Sequence, residues 1–119
     1  MRRSAALALL LLTLACGRAD HNRARGEAAL RGQLASMRNA IAVYTKTHGH
    51  GPATLRDAIP SVPVDPLTHS ATTWRLTTEE NVRVDDFTTI PGPAARSAII
   101  DVHSGAPGRD GRGRGYGEY

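Results

Sequence analysis

The 119-residue chain holds one cysteine, one tryptophan, one phenylalanine and three tyrosines. A single cysteine excludes a disulfide within the chain. Aromatic residues at 4% leave no large stacking surface. Lys46 is the only lysine, so the high pI reflects arginine. The formal charge of +4 includes Arg2 and Arg3; without them 13 basic residues face 11 acidic ones, a balance of +2. That is too mild and too scattered to imply nucleic acid. Internal repeats, hydrolase motifs, phosphate loops and paired catalytic carboxylates are also missing, which reads as a non-enzymatic chain with no small-molecule substrate.

The length admits one domain at most. Part of it is a targeting segment, which leaves a folding unit of roughly 90 residues, enough for a small core but not a deep enclosed site. Residues 1–15 have the form of a secretory leader: Arg2 and Arg3, then an apolar run from Ala5, then Thr13-Leu14-Ala15 before Cys16. The apolar run is far short of the ~20 residues that span a bilayer as a helix. Cys16 stands where cleavage is expected. Leu12 to Cys16 resemble a relaxed bacterial lipobox, in which the cysteine is lipidated and becomes the mature N-terminus. The alternative is an ordinary leader with an incidental cysteine. Several acyl chains on one residue give stable attachment where one does not. Gly17 in place of Asp leans toward the outer membrane. The expected localisation is therefore the bacterial cell envelope, lipid-anchored and facing the periplasm. The expected divisions are a leader over 1–15, Cys16 and a short tether over 16–22, and a head domain over 23–119.

The strongest pattern lies in residues 27–47. Leu30, Leu34, Met37, Ile41 and Tyr44 recur at helical spacing and define one apolar stripe. Arg31, Gln33, Arg38, Asn39 and Lys46 fall elsewhere on the wheel and can stay in water. Asp20 or Asn22 is suited to cap the helix start. His48-Gly49-His50-Gly51-Pro52 ends it, with Gly49 at the left-handed cap position. Thr54 and Asp57 form a capping box for a short helix with Leu55, Ala58 and Ile59 inward. Pro60, Pro63 and Pro66 hold an extended loop with a turn at Asp65-Pro66.

Alternation then predicts three strands: 73–77 with Trp74 and Leu76 on one face, 81–85 with Val82 and Val84, and 97–103 with Ile100 and Val102. Thr78-Glu79-Glu80 reads as the hairpin turn, and Pro91-Gly92-Pro93 as a break. Three strands with one apolar side are what the helical stripe needs to be buried. From Gly105 onward the chain holds six of its twelve glycines. It reads as an irregular surface loop that packs through Tyr116 and Tyr119. The fold class is α+β.

Taken together, Ala40-Ile41-Ala42-Val43-Tyr44, the His48–Pro52 break, Thr54-Leu55 and Val62-Pro63-Val64-Asp65-Pro66 resemble the periplasmic part of type II secretion pseudopilins. The closing Asp101-Val102-His103-Ser104-Gly105 and Asp110-Gly111 resemble the C-terminal loop of the major pseudopilins. The similarity covers residues 27–119. It implies a pilin-like plan: one long N-terminal helix on a three- to four-stranded antiparallel sheet. It also implies a partner, the type II secretion or type IV pilus-like apparatus. Gly51 stands where the family has tyrosine, and a lipobox leader replaces the Phe-Thr-x-x-Glu processing motif and the long apolar helix. The chain resembles a pseudopilin head moved onto a lipid anchor.

The resemblance implies a calcium site at Asp101, Ser104 and Asp110, whose hard oxygen ligands suit Ca²⁺. The alternative is a Gly-rich turn with solvated carboxylates. His48 and His50, with His69 and His103 downstream, raise a second functional class, a periplasmic metal- or ligand-binding lipoprotein; the plainer reading is solvated loop histidines. Arg112-Gly113-Arg114-Gly115 is too short for an RNA-binding tract.

Overall fold

A computed structural model describes residues 2–79 and 97–119. It is an α+β chain in which one long helix carries a small antiparallel sheet. Helix α1 runs unbroken over Arg2–His48 and gives the molecule its 76 Å long axis. Four residues of the predicted stripe, Leu30, Leu34, Met37 and Ile41, are at most 3% exposed. Each contributes about 2 kcal/mol on burial. Tyr44 is only half-buried and stacks on His48 one turn later, with ring centroids 3.9 Å apart. Arg31, Asn39 and Lys46 are exposed as expected, but Gln33 and Arg38 are half-buried, because strand and loop segments reach around the flank of the stripe.

The start of the helix differs from expectation. Asp20 and Asn22 lie inside α1 rather than at its N-terminus, and residues 17–21 are helical. Gly17, Gly26 and Gly32 cost up to ~1 kcal/mol each in a helix. The alanines, leucines, arginines and glutamate around them are good helix formers, and the first proline is Pro52. The other end matches expectation. His48 is the last helical residue, Gly49 has φ +77°, and its N–H donates to Thr45 O at 2.8 Å, which turns the chain.

Helix α2, Leu55–Ala58, is a single turn that begins at Thr54. The Asp57 carboxylate accepts from Thr54 N at 2.9 Å and from Thr54 Oγ1 at 3.0 Å. Leu55 is buried, and Ala58 and Ile59 are half-buried. Asp65-Pro66 opens the expected turn, closed by a bridge between Asp65 and Ser70.

Strand β1, Arg75–Thr78, pairs antiparallel with β2, Ile99–His103. Thr78 therefore belongs to a strand rather than to a hairpin turn. The expected strand 81–85 and the break at 91–93 lie outside the described residues. The register runs Arg75 to His103, Leu76 to Val102 and Thr77 to Asp101, then slips so that Thr78 faces Ile99. Ile100 is the extra residue of a β-bulge. Strict alternation would put Ile100 and Val102 inside together. The bulge shifts the phase, so Ile99 (1% exposed) joins Val102 (0%) while Ile100 (41%) turns outward. Leu76 also keeps 40% exposure, because β2 is the strand that lies along α1.

The core is Leu30, Leu34, Met37 and Ile41 of α1 against Leu55, Trp74, Ile99, Val102, Tyr116 and Tyr119. Trp74 places its indole N–H on Pro63 O at 2.8 Å, so the ring is buried without an orphaned donor. Tyr116 opens a final 3₁₀ turn over Tyr116–Glu118, and both tyrosines pack inward as the sequence suggests.

Candidate functional site

Cys16 is exposed on α1. Helical geometry sets it about 10 Å along the axis from Arg23 and about 20 Å from Arg31. Among the described residues, no helix is long and apolar enough to cross a membrane.

The three residues of the expected calcium site each have their own protein partners. Asp101 Oδ1 accepts from Arg38 Nε and from its neighbour Val102 N, both at 2.7 Å. Asp101 Oδ2 lies 3.2 Å from His103 Nε2. Burial alone would raise the Asp101 pKa, but the Arg38 hydrogen bond, the Val102 N–H and the charges of Arg38 and His103 together hold it below the usual carboxylate range. Ser104 is fully buried and donates to Asp65 Oδ2 at 2.6 Å. Asp110 Oδ2 accepts from Tyr119 OH at 2.7 Å, and its Oδ1 takes the N–H groups of Arg112 and Arg114. The Asp101 carboxylate is paired with a guanidinium and Asp110 already accepts three hydrogen bonds, so a shared Ca²⁺ shell would have to displace these partners. Among the described residues, no three His, Cys, Asp or Glu side chains gather in a metal-binding group.

Arg38 is a hub that sequence reasoning passed over as a solvent-facing residue. Besides Asp101, it donates through Nη2 to Val102 O at 2.9 Å and to Tyr119 O. His103 Nδ1 lies 2.9 Å from the same Tyr119 oxygen. The helix, β2 and the last residue thus meet at one guanidinium. The separation of 63 residues between Arg38 and Asp101 leaves no local pattern to find.

Asp65 is the second residue that was missed. It is fully buried, with Oδ1 accepting from Leu67 N at 2.8 Å and Thr68 N at 3.3 Å. The sequence signalled its turn but not its partner, 39 residues away.

His48 and His50 sit at the end of α1 with ring centroids 6.3 Å apart. The Nδ1 of His48 lies 3.0 Å from Tyr44 O, and that of His50 lies 2.9 Å from Gly51 O. A carbonyl partner fixes Nδ1 as the protonated nitrogen and leaves the Nε2 lone pair outward. His69 lies apart in the Asp65 turn, with φ +58°.

A groove of about 630 Å³ lies between α1 and the closing loop, lined by Arg23, Arg31, Arg112 and Arg114 with Asp20, Glu27 and Asp110. Tyr116 OH donates to Glu27 Oε1 at 2.9 Å. Burial and this hydrogen bond push the Tyr116 hydroxyl pKa up. The Tyr119–Asp110 hydrogen bond raises Tyr119, aided by burial, and lowers Asp110. Arg31 and Arg114 both approach the Tyr119 ring, at 5.8 and 5.1 Å from its centroid. The arginines that looked scattered in the sequence line one groove because the loop folds back onto the helix. The chain matches no family model, no curated protein and no solved structure.

Proposed function

We propose that this chain is a lipoprotein, tethered through Cys16, that presents a pilin-like head domain as a non-enzymatic structural or interaction component of a type II secretion or type IV pilus-like apparatus. The observation that carries the reading is α1. In pseudopilins the head helix continues toward the membrane as a spine, and here the helix that carries the sheet reaches back to Cys16, the expected anchor, without a break. The closing loop supports it further, since the Asp65 turn and Ser104 are joined directly and both belong to motifs that resemble the family. The head faces the periplasm, and docking is its mechanism.

Pull-down of the membrane-embedded protein under native conditions tests the reading. Recovery of secretion or pilus components is the expected result, and repeated recovery of none overturns it. Cys16→Ser releases the anchor: the variant leaves the lipid-modified membrane fraction, and unchanged lipid labelling removes the lipoprotein assignment.

One observation favours a second reading, a metal-binding lipoprotein. Both His48 and His50 have Nδ1 held by a carbonyl, the arrangement that readies Nε2 for a metal. Calorimetry with Zn²⁺ decides: tight binding that is lost in a His48→Ala/His50→Ala variant would place this reading first.

A further inference from the structure

We infer that the arginine groove between α1 and the closing loop binds the phosphate headgroups of anionic phospholipids, so that the head lies against the bilayer rather than standing away from it. The inference rests on the anchored reading above for its geometry, and on charge placement for its chemistry.

Residues 18–31 and 109–114 hold seven arginines and three carboxylates. The remainder of the chain beyond residue 15 holds six basic and eight acidic residues. Positive charge is therefore concentrated in the two segments that border the groove on the Cys16 side. Folding sharpens this by bringing Arg112 and Arg114 beside Arg23 and Arg31 in one open groove.

The three carboxylates of the groove are already engaged. Glu27 holds Tyr116 OH, with Arg23 at 3.9 Å. Asp20 pairs with Arg23 at 3.2 Å. Asp110 takes Tyr119 OH and two backbone N–H groups. Among the described residues, the guanidiniums of Arg31 and Arg112 form no salt bridge. Two planar forks with no carboxylate partner among the described residues, both lining one groove, suit a phosphate, which they can grip bidentately.

The site lies about 10–20 Å along the helix from Cys16, within one to two Debye lengths of a bilayer that begins at the lipid. Anionic headgroups are the phosphates at that height, and each arginine near such a surface adds about fivefold to binding. Acyl chain plus basic patch is a two-signal attachment.

Hydrogen exchange on the full-length protein tests this in phosphatidylcholine vesicles, with and without phosphatidylglycerol. Phosphatidylglycerol is expected to slow the amides of residues 109–114 about fivefold, reversibly with salt. Arg31→Gln/Arg112→Gln should abolish the slowing while amides of residues 34–41 stay protected, which shows the variant folded. Equal exchange in both vesicles overturns the inference. The same slowing by inorganic phosphate over phosphatidylcholine alone also overturns it, in favour of a soluble anion. If the protein floats only with phosphatidylglycerol vesicles, the anchor fails and the groove stands; if it floats with neither, both fail.

Discussion

Ser104 donates its hydroxyl hydrogen to Asp65 Oδ2 at 2.6 Å, with both side chains fully buried. This bond joins the turn after the proline-rich loop to the segment that follows β2. Ser104 Oγ also accepts from Ala106 N at 3.1 Å, so it fixes the start of the closing loop. Removing it leaves a buried carboxylate oxygen without a donor. Ser104→Ala should cost about 1–3 kcal/mol in urea denaturation. Asp65→Ala, which strips three hydrogen bonds, should cost more than Ser104→Ala, and Asp65→Asn less than Asp65→Ala.

Arg38→Lys is expected to behave more like Arg38→Ala than like wild type. A point-charge ammonium cannot reach Asp101, Val102 O and Tyr119 O together, as the guanidinium does. Both variants should lose about 1–2 kcal/mol, since the pair is partly exposed and screened. The held-down Asp101 pKa adds a pH signature. A carboxyl group depressed in the folded state stabilises above its unfolded pKa, and that stability fades as pH falls through the folded value. Acid melting of wild type should therefore steepen below about pH 4, and less so in Arg38→Ala.

At high pH the sign reverses. Tyr116 and Tyr119 have hydroxyl pKa values raised above 10.0 in the fold. The folded state holds these protons longer than the unfolded chain, so stability is whole below the unfolded value and declines as pH rises from there through the folded values. Tyrosinate absorbance should appear late for two of the three tyrosines. Tyr116→Phe/Tyr119→Phe should flatten the alkaline decline, and an unchanged profile would show that these hydroxyls carry no linkage.

Glycine substitutions should sort by location. A Cβ on Gly51 would strike Ile99 O, and one on Gly105 would strike Thr73 O. Both alanine variants should lose about 3 kcal/mol or more, or fail to fold. Gly32 has nothing near its Cβ position and lies in mid-helix, so Gly32→Ala should stabilise by about 0.5–1 kcal/mol. Gly49→Ala falls between, costing about 1 kcal/mol for its left-handed backbone. The melting order of the four variants is the check.

Calcium should leave the melting temperature unchanged, because Asp101 and Asp110 are already held by Arg38, Tyr119 and backbone N–H groups that the ion would have to displace. A saturable rise that disappears in Asp110→Ala would show that the loop rearranges to take the ion.

The sequence revealed what is periodic or local. The stripe from Leu30 to Ile41, the Gly49 cap, the Thr54–Asp57 pair and the inward tyrosines each follow from spacing or from turn chemistry. It concealed what depends on register or distance. The bulge at Ile100 turned that residue outward and put Ile99 inside beside Val102, and no alternation rule signals one extra residue. Arg38 and Asp65 looked like a solvent-facing cation and a turn aspartate, because their partners lie 63 and 39 residues away. The groove was hidden for the same reason: its two halves are about 80 positions apart in the chain.

An unbroken helix past Cys16 also fixes an angle. Each residue turns the helix by about 100° and advances it 1.5 Å. The direction in which Arg23 and Arg31 point, relative to whatever is attached at Cys16, is therefore set by the count of residues between them. A flexible tether would ignore one inserted alanine after Gly17. A rigid one converts that alanine into a rotation of about 100°, swinging the arginine wall away from its former bearing while moving the head hardly at all. The segment behaves as a keyed shaft, and its length in residues is an orientation setting.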